Sequence, residues 1–249
     1  MSLVCSCGAP VKPGFKFCNV CGAQISPNNM EKDETKPYSP LMDYQGRVIR
    51  MINGNKAGAF FPVYPNCTIG RSETTVEIPD DMTLSPLHAR ITARPDTMVI
   101  EDLNSLNGVF VRIRDKILLQ GNDIIRAGDH YFLYEFFRPD HFTEGYGTEF
   151  YATPCRGEHF RIVEILSGGR RGRACMSPDG GVVVGRTTGD FTFPEDEFMS
   201  ERHFTIRWTQ RGGVLVDTSL NGTYLQIRDS FNLREGDLFF AGNTLFRVL

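Results

Sequence analysis

The 249-residue chain has a single tryptophan, no uninterrupted apolar run of membrane-spanning length and no excess of positive charge. Each shortage excludes a class of protein. Its longest apolar stretch, Tyr131 to Phe137, is broken by Glu135, well short of the roughly 18 residues that a spanning helix needs. Lysine and arginine total 27 against 30 acids, a net charge of −3, whereas a non-specific nucleic-acid binder carries a basic surplus. Met1-Ser2-Leu3-Val4-Cys5 has neither the basic start nor the apolar segment of a secretory leader, so a cytoplasmic chain is expected. Apolar periodicity of the helical kind is also missing. In its place stand 25 glycines and 14 prolines among 41% hydrophobic residues, the composition of short strands and many turns around real cores.

Four of the seven cysteines, Cys5, Cys7, Cys18 and Cys21, fall within the first 21 residues. A disulfide framework would spread its bridges along the chain, whereas such a cluster suits one tetrahedral zinc ion held by four thiolates. About 25 residues cannot bury a core of their own, so a metal would supply the missing stability. Cys7-Gly8 and Gly14-Phe15-Lys16-Phe17-Cys18-Asn19-Val20-Cys21-Gly22 resemble the zinc ribbons found at the front of many bacterial proteins. The first pair departs from that pattern, being C-x-C with Val4 where the first sulfur usually stands. The expectation is a structural Zn2+ on Cys5, Cys7, Cys18 and Cys21 in a ribbon spanning 1–26, followed by a proline- and charge-rich linker at 27–44.

The remainder is written twice. Gly70-Arg71 returns as Gly185-Arg186, and Ser85-x-x-His88 as Ser200-x-x-His203, both 115 positions later. Ser105-Leu106-Asn107-Gly108 returns as Ser219-Leu220-Asn221-Gly222, and Asp123 and Gly128 as Asp237 and Gly242, 114 positions later, so one deletion explains the register. Ala89, Ile91 and Ala93 alternate with polar neighbours, as do Phe204, Ile206 and Trp208, the period of half-buried antiparallel strands. Asn107-Gly108 and Asn221-Gly222 read as turns with positive φ. The fold class is therefore all-β: two antiparallel sandwiches, at 45–138 and 158–249, joined by a linker at 139–157.

The repeated polar residues fall in connections at strand ends, where a sandwich presents a binding surface on a rigid base. Arginine beside a serine hydroxyl and an asparagine amide offers several donors and no carboxylate, which suits a phosphate. Gly-Arg, then Ser-x-x-His, then Asp-x-x-Ser-x-Asn-Gly, in this order and twice, resemble the forkhead-associated (FHA) domain. The resemblance covers roughly four-fifths of the chain. It implies eleven-stranded sandwiches that bind phosphothreonine peptides, and hence a non-catalytic adaptor in Ser/Thr-kinase signalling. Carried over by position, Arg71 and Ser85 would hold the phosphate and Asn107 the peptide backbone. Gly70 and Gly108 would shape the turns, and His88 would prop the serine loop from inside. Arg186, Ser200 and Asn221, with Gly185, His203 and Gly222, would repeat those roles. Pro86 and Glu201 stand where the family often has a polar or basic residue, and Leu106 and Leu220 where it often has threonine. Glu201 would repel a phosphate, which makes the first repeat the better expected binder.

Other readings remain open. The sandwiches could be a phosphate-independent scaffold, or the ribbon could belong to a nucleic-acid accessory factor. Gly168-Gly169-Arg170-Arg171-Gly172-Arg173 is a basic hairpin that could touch an acidic partner. Thr35 and Thr148, in the linkers, could be phosphorylated and captured by the chain's own sandwiches, or a second copy could associate. Ser85 and His88 are too poorly directed along a strand to form a nucleophile–base pair.

Overall fold

A computed structural model describes residues 3–4, 10–11, 47–94, 96–136, 147, 159–176 and 180–249. Contacts divide the chain into one unit over Met1–Ser39 and another over Pro40–Leu249. In the first unit, β1 (Leu3–Val4) pairs antiparallel with β2 (Pro10–Val11). Cys5, Cys7, Cys18 and Cys21 lie outside the described residues, as do Thr35 and Thr148.

In the second unit, the first repeat contributes β3 (Val48–Met51), β4 (Phe60–Pro62), β5 (Cys67–Gly70), β6 (Val76–Glu77), β7 (Ala89–Ala93) and β8 (Met98–Asp102). It continues with β9 (Val109–Arg112), β10 (Ile117–Leu118), β11 (Ile124–Ala127) and β12 (His130–Phe136). The second repeat gives the equivalent series: β13 (Phe160–Leu166), β14 (Arg170–Cys175), β15 (Gly181–Gly185), β16 (Phe191–Thr192) and β17 (Phe204–Thr209). Its later strands are β18 (Gly212–Asp217), β19 (Thr223–Gln226), β20 (Ser230–Leu233), β21 (Leu238–Ala241) and β22 (Thr244–Val248). Period-two patterning carries through to burial. In β7, Ala89, Ile91 and Ala93 are buried while Arg90 and Thr92 are less so.

The strands do not stay with their own repeat. β20 pairs with β8, β21 with β9, and β22 with β3, so the last three strands of the second repeat complete the sandwich of the first. Reciprocally, β10 pairs with β18, β11 with β19, and β12 with β13. β9 and β19 then pair with each other, fusing both modules into one ten-stranded sheet, β14-β13-β12-β11-β19-β9-β21-β22-β3-β4. Two five-stranded sheets, β20-β8-β7-β5-β6 and β10-β18-β17-β15-β16, supply the opposing layers.

Packing follows the exchange. One core holds Ile49, Ile69, Ile91 and Val111 from the first repeat with Phe239 and Phe246 from the second. The other holds Val184, Phe204 and Ile206 from the second repeat with Ile125, Phe132 and Tyr134 from the first. The chain leaves its own sandwich between Val111 and Ile113, and returns the favour between Leu225 and Ile227. Each fully buried aromatic is worth about 1.5–3 kcal/mol, so withdrawing the last strands of either repeat would open the core of the other. The sandwiches expected as contiguous blocks are thus interlocked, a form of domain swapping within one chain.

The hinges explain why the exchange is permitted. Arg114, just beyond the first crossing, pairs with Asp237, and Arg228, just beyond the second, pairs with Asp123 at 2.8 Å. Asp123 and Asp237 are repeat equivalents, so each arginine meets the same chemistry that its own repeat would have offered. Further contacts lie where the modules meet on the central sheet. Phe110 packs edge-on against Tyr131 at 5.5 Å between ring centres, and Tyr224 against Phe240 at 4.8 Å. The Arg126 guanidinium sits 3.6 Å over the Phe240 ring and bonds to the Gly242 carbonyl and to Asn243 Oδ1. Burial holds its pKa below the ordinary arginine value. Among the described residues, no helix is long and apolar enough to cross a membrane.

Candidate phosphopeptide sites

The Gly-Arg motif places two backbones against each other. A Cβ on Gly70 would collide with the Pro86 carbonyl, and one on Gly185 with the Glu201 carbonyl. Only glycine lets β5 and β15 approach the serine loops so closely. The next residue then locks on: the Arg71 N–H donates to the Ser85 carbonyl at 3.1 Å, and the Arg186 N–H to that of Ser200 at 2.8 Å. Both arginine side chains therefore start beside their serine. Neither guanidinium has a carboxylate partner among the described residues; Arg71 Nη1 lies 3.9 Å from Met82 Sδ, and its buried Nε has no hydrogen-bond partner among them.

His88 is fully buried and works from behind. Its Nδ1 accepts the Ser85 N–H at 3.1 Å, which leaves the Nε2 proton to donate to the Gly108 carbonyl at 3.0 Å. One neutral ring thereby ties the serine loop to the asparagine loop. Burial lowers its pKa and favours that neutral form, outweighing the Gly108 bond and nearby Asp102 and Asp81. His203 repeats the arrangement, with Ser200 N–H to Nδ1 at 3.1 Å, Nε2 to Gly222 O at 3.2 Å, and a pKa lowered by burial.

The two loops also meet directly. Ser85 Oγ accepts the Leu106 N–H at 3.1 Å and Ser200 Oγ the Leu220 N–H at 3.0 Å, so each hydroxyl keeps its own proton for a ligand. Asn107 Nδ2 donates to the Thr83 carbonyl at 2.7 Å and Asn221 Nδ2 to that of Phe198 at 2.9 Å. With one N–H of each amide so anchored, Oδ1 can accept, as a peptide N–H would require. Gly108 (φ +76°) and Gly222 (φ +92°) make the turn that follows.

The extra residue of the first repeat sits in this loop. Asn104 takes a left-handed conformation (φ +56°), tolerated by asparagine, and Asp102 caps the Ser105 N–H at 3.1 Å. In the shorter second loop Asp217 does more, accepting from the Ser219 N–H and hydroxyl and from Thr223. Sequence position alone did not reveal these anchors.

Nor did it reveal that each site borrows from the other repeat. Asp81, ahead of Ser85, accepts the Asn243 N–H at 3.0 Å and the Thr244 hydroxyl at 2.7 Å. Burial would raise its pKa, but these bonds and those from Thr83 outweigh it and leave the carboxyl below its ordinary value. Asp196, ahead of Ser200, accepts the Asp129 N–H at 2.9 Å and lies 3.7 Å from His130 Nε2. Gln226 covers Gly108, and Arg112 covers Gly222.

What the arrangement offers is a guanidinium, a hydroxyl proton and an amide oxygen on a rigid base, twice. It does not offer a nucleophile: the serine hydroxyls meet backbone N–H groups, and the histidines face the serine backbone. Leu106 and Leu220 stand out from the loops, 90% and 86% exposed. The basic hairpin is engaged on its own sheet, Arg171 with Glu135 at 2.5 Å and Arg173 with Glu164 at 3.3 Å.

Comparisons with known proteins place both repeats in a family. No curated protein matches the chain. A solved structure from work on phosphothreonine-dependent FHA domain interactions is 28% identical, covering 33% of this chain and 85% of that one, with a TM-score of 0.20. Mycobacterium tuberculosis EmbR, in complex with a low-affinity phosphopeptide, is 19% identical, covering 43% of this chain and only 26% of that one, with a TM-score of 0.22. Residues 67–128 and 182–240 each match the FHA domain family, and both segments run through a hinge from one sandwich into the other. The chain thus carries two FHA-type domains, one match in each repeat.

Proposed function

We propose that this protein is a non-catalytic adaptor that binds phosphothreonine peptides, with one site in each repeat. The observation that carries the reading is a serine loop propped by a neutral histidine, with the serine hydroxyl proton uncommitted and the serine carbonyl bonded to the N–H of an arginine that has no acidic partner among the described residues, in both repeats. Arg71 and Ser85 hold the phosphate in the first site and Arg186 and Ser200 in the second. Asn107 and Asn221 accept from the peptide backbone. A phosphate dianion is matched by paired N–H donors and a hydroxyl proton.

Titration of matched phosphorylated and unphosphorylated threonine peptides tests it. Binding should require the phosphate. Each arginine should contribute about 1.5–3 kcal/mol as a charged donor, so Arg71→Ala and Arg186→Ala should each weaken their own site at least roughly tenfold. Peptide binding indifferent to phosphatase and to both substitutions overturns the reading in favour of a phosphate-independent scaffold. The first site, where Pro86 replaces Glu201, should bind more tightly. The N-terminal cysteines support a structural zinc site, and metal analysis of the protein with and without Cys18→Ser and Cys21→Ser tests that.

A further inference from the structure

We propose, resting on the phosphopeptide reading, that Arg112 of the first repeat serves the second repeat's site as a positioning and charge-supplying residue. Strand exchange makes this possible. β9 and β19 are neighbours in the central ladder, with Arg112 opposite Tyr224, two residues beyond Gly222. The Arg112 side chain runs back over that glycine so closely that a Cβ there would overlap its guanidinium. Its Nη2 points to the Leu220 carbonyl at 3.5 Å, and the N–H of the same Leu220 is the one held by Ser200 Oγ. A cation from one repeat thus lies a single residue behind the phosphate-binding hydroxyl of the other.

Three further observations give this contact meaning. Arg112 has no ion pair among the described residues, although Asp217 lines the same depression. Its field reaches the site's internal prop, where it opposes protonation of His203. And the second site is the one that needs a cation, because Glu201 follows its serine where the first site has Pro86. The equivalent place beneath the first site holds Gln226, which covers Gly108 as Arg112 covers Gly222. A neutral side chain of similar reach therefore supports the loop equally well. What arginine adds is charge.

The pseudo-symmetry supplies the test. With the first site silenced by Arg71→Ala, Arg112→Gln should weaken phosphopeptide binding at the second site about threefold at low salt, as expected for a charge acting over roughly 8–10 Å. The difference should shrink towards none near 1 M salt, and Arg112→Lys should restore most of it. With the second site silenced by Arg186→Ala, Gln226→Arg should tighten the first site. A merely structural role would move neither the salt dependence nor the first site. If the second site binds phosphopeptide but Arg112→Gln leaves its affinity and salt slope unchanged, or if only the first site binds, this inference fails and the phosphopeptide reading stands. If neither site distinguishes phosphorylated from unphosphorylated peptide, the reading itself fails.

Discussion

Val111 and Leu225 face each other across the central ladder, and they are the same residue of the repeat, 114 positions apart. On either side, Phe110 faces Gln226 and Arg112 faces Tyr224, which are again equivalent pairs read in opposite directions. A pseudo-twofold axis therefore passes between Val111 and Leu225. The single chain has the symmetry of an isologous dimer, and each half reaches across the axis to finish the other.

Cutting the chain within 137–158 should leave the two fragments together. Because each carries strands buried in the other's sandwich, they should co-elute on size exclusion in native buffer and separate only in denaturant. Side-by-side domains joined by a linker would come apart on cleavage.

The glycines at the exchange contacts should resist substitution. Gly222→Ala meets both a positive φ and the Arg112 side chain, and Gly108→Ala meets a positive φ and Gln226. Each should cost about 1–3 kcal/mol, read as a fall in Tm. Gly236, also at positive φ but with open space around it, should tolerate alanine better.

Acid should loosen the recognition loops first. The folded-state pKa values of His88 and His203 lie below the unfolded value near 6.5, so the unfolded chain takes up protons that the folded chain refuses. Their stabilising contribution is complete above about pH 6.5 and declines as pH falls below it. Urea midpoints measured from pH 7.5 to 5 should fall accordingly, and the slope should flatten in a His88→Gln, His203→Gln double variant.

Arg126 should matter by shape more than by charge. Arg126→Ala removes its packing on Phe240 and its bonds to Gly242 and Asn243, and should cost about 1–3 kcal/mol by denaturant titration. Arg126→Met, which keeps most of the length without a buried cation, should lose far less.

Much of this was legible in the sequence. The twofold spelling of Gly-Arg, Ser-x-x-His and Ser-Leu-Asn-Gly picked out residues that the fold brings together in the serine and asparagine loops of both repeats. Alternation along β7 showed which face turns inward, whereas in β17 Thr205 is buried beside Phe204 and Ile206. The exchange was not legible, for a physical reason: Arg114 and Arg228 find equivalent aspartates whichever repeat supplies them, and so do the strands that follow. A pattern common to both repeats cannot say which copy it binds. Arg112 and Gln226 were missed because they belong to no motif and acquire their role only from the β9–β19 pairing. Asn104 was visible as a length difference, but its left-handed turn was not.

The crossing at Val111 also sets an order of events during synthesis. When the ribosome has finished residue 136, neither module has all its strands. The one containing β13 through β19 is whole once Gln226 has emerged, whereas the one that begins at β3 must wait for β22. The module begun first is closed last, so its exposed edge needs protection for nearly the full duration of translation, and a premature stop after Gln226 would leave the N-terminal module without three of its strands while sparing the C-terminal one.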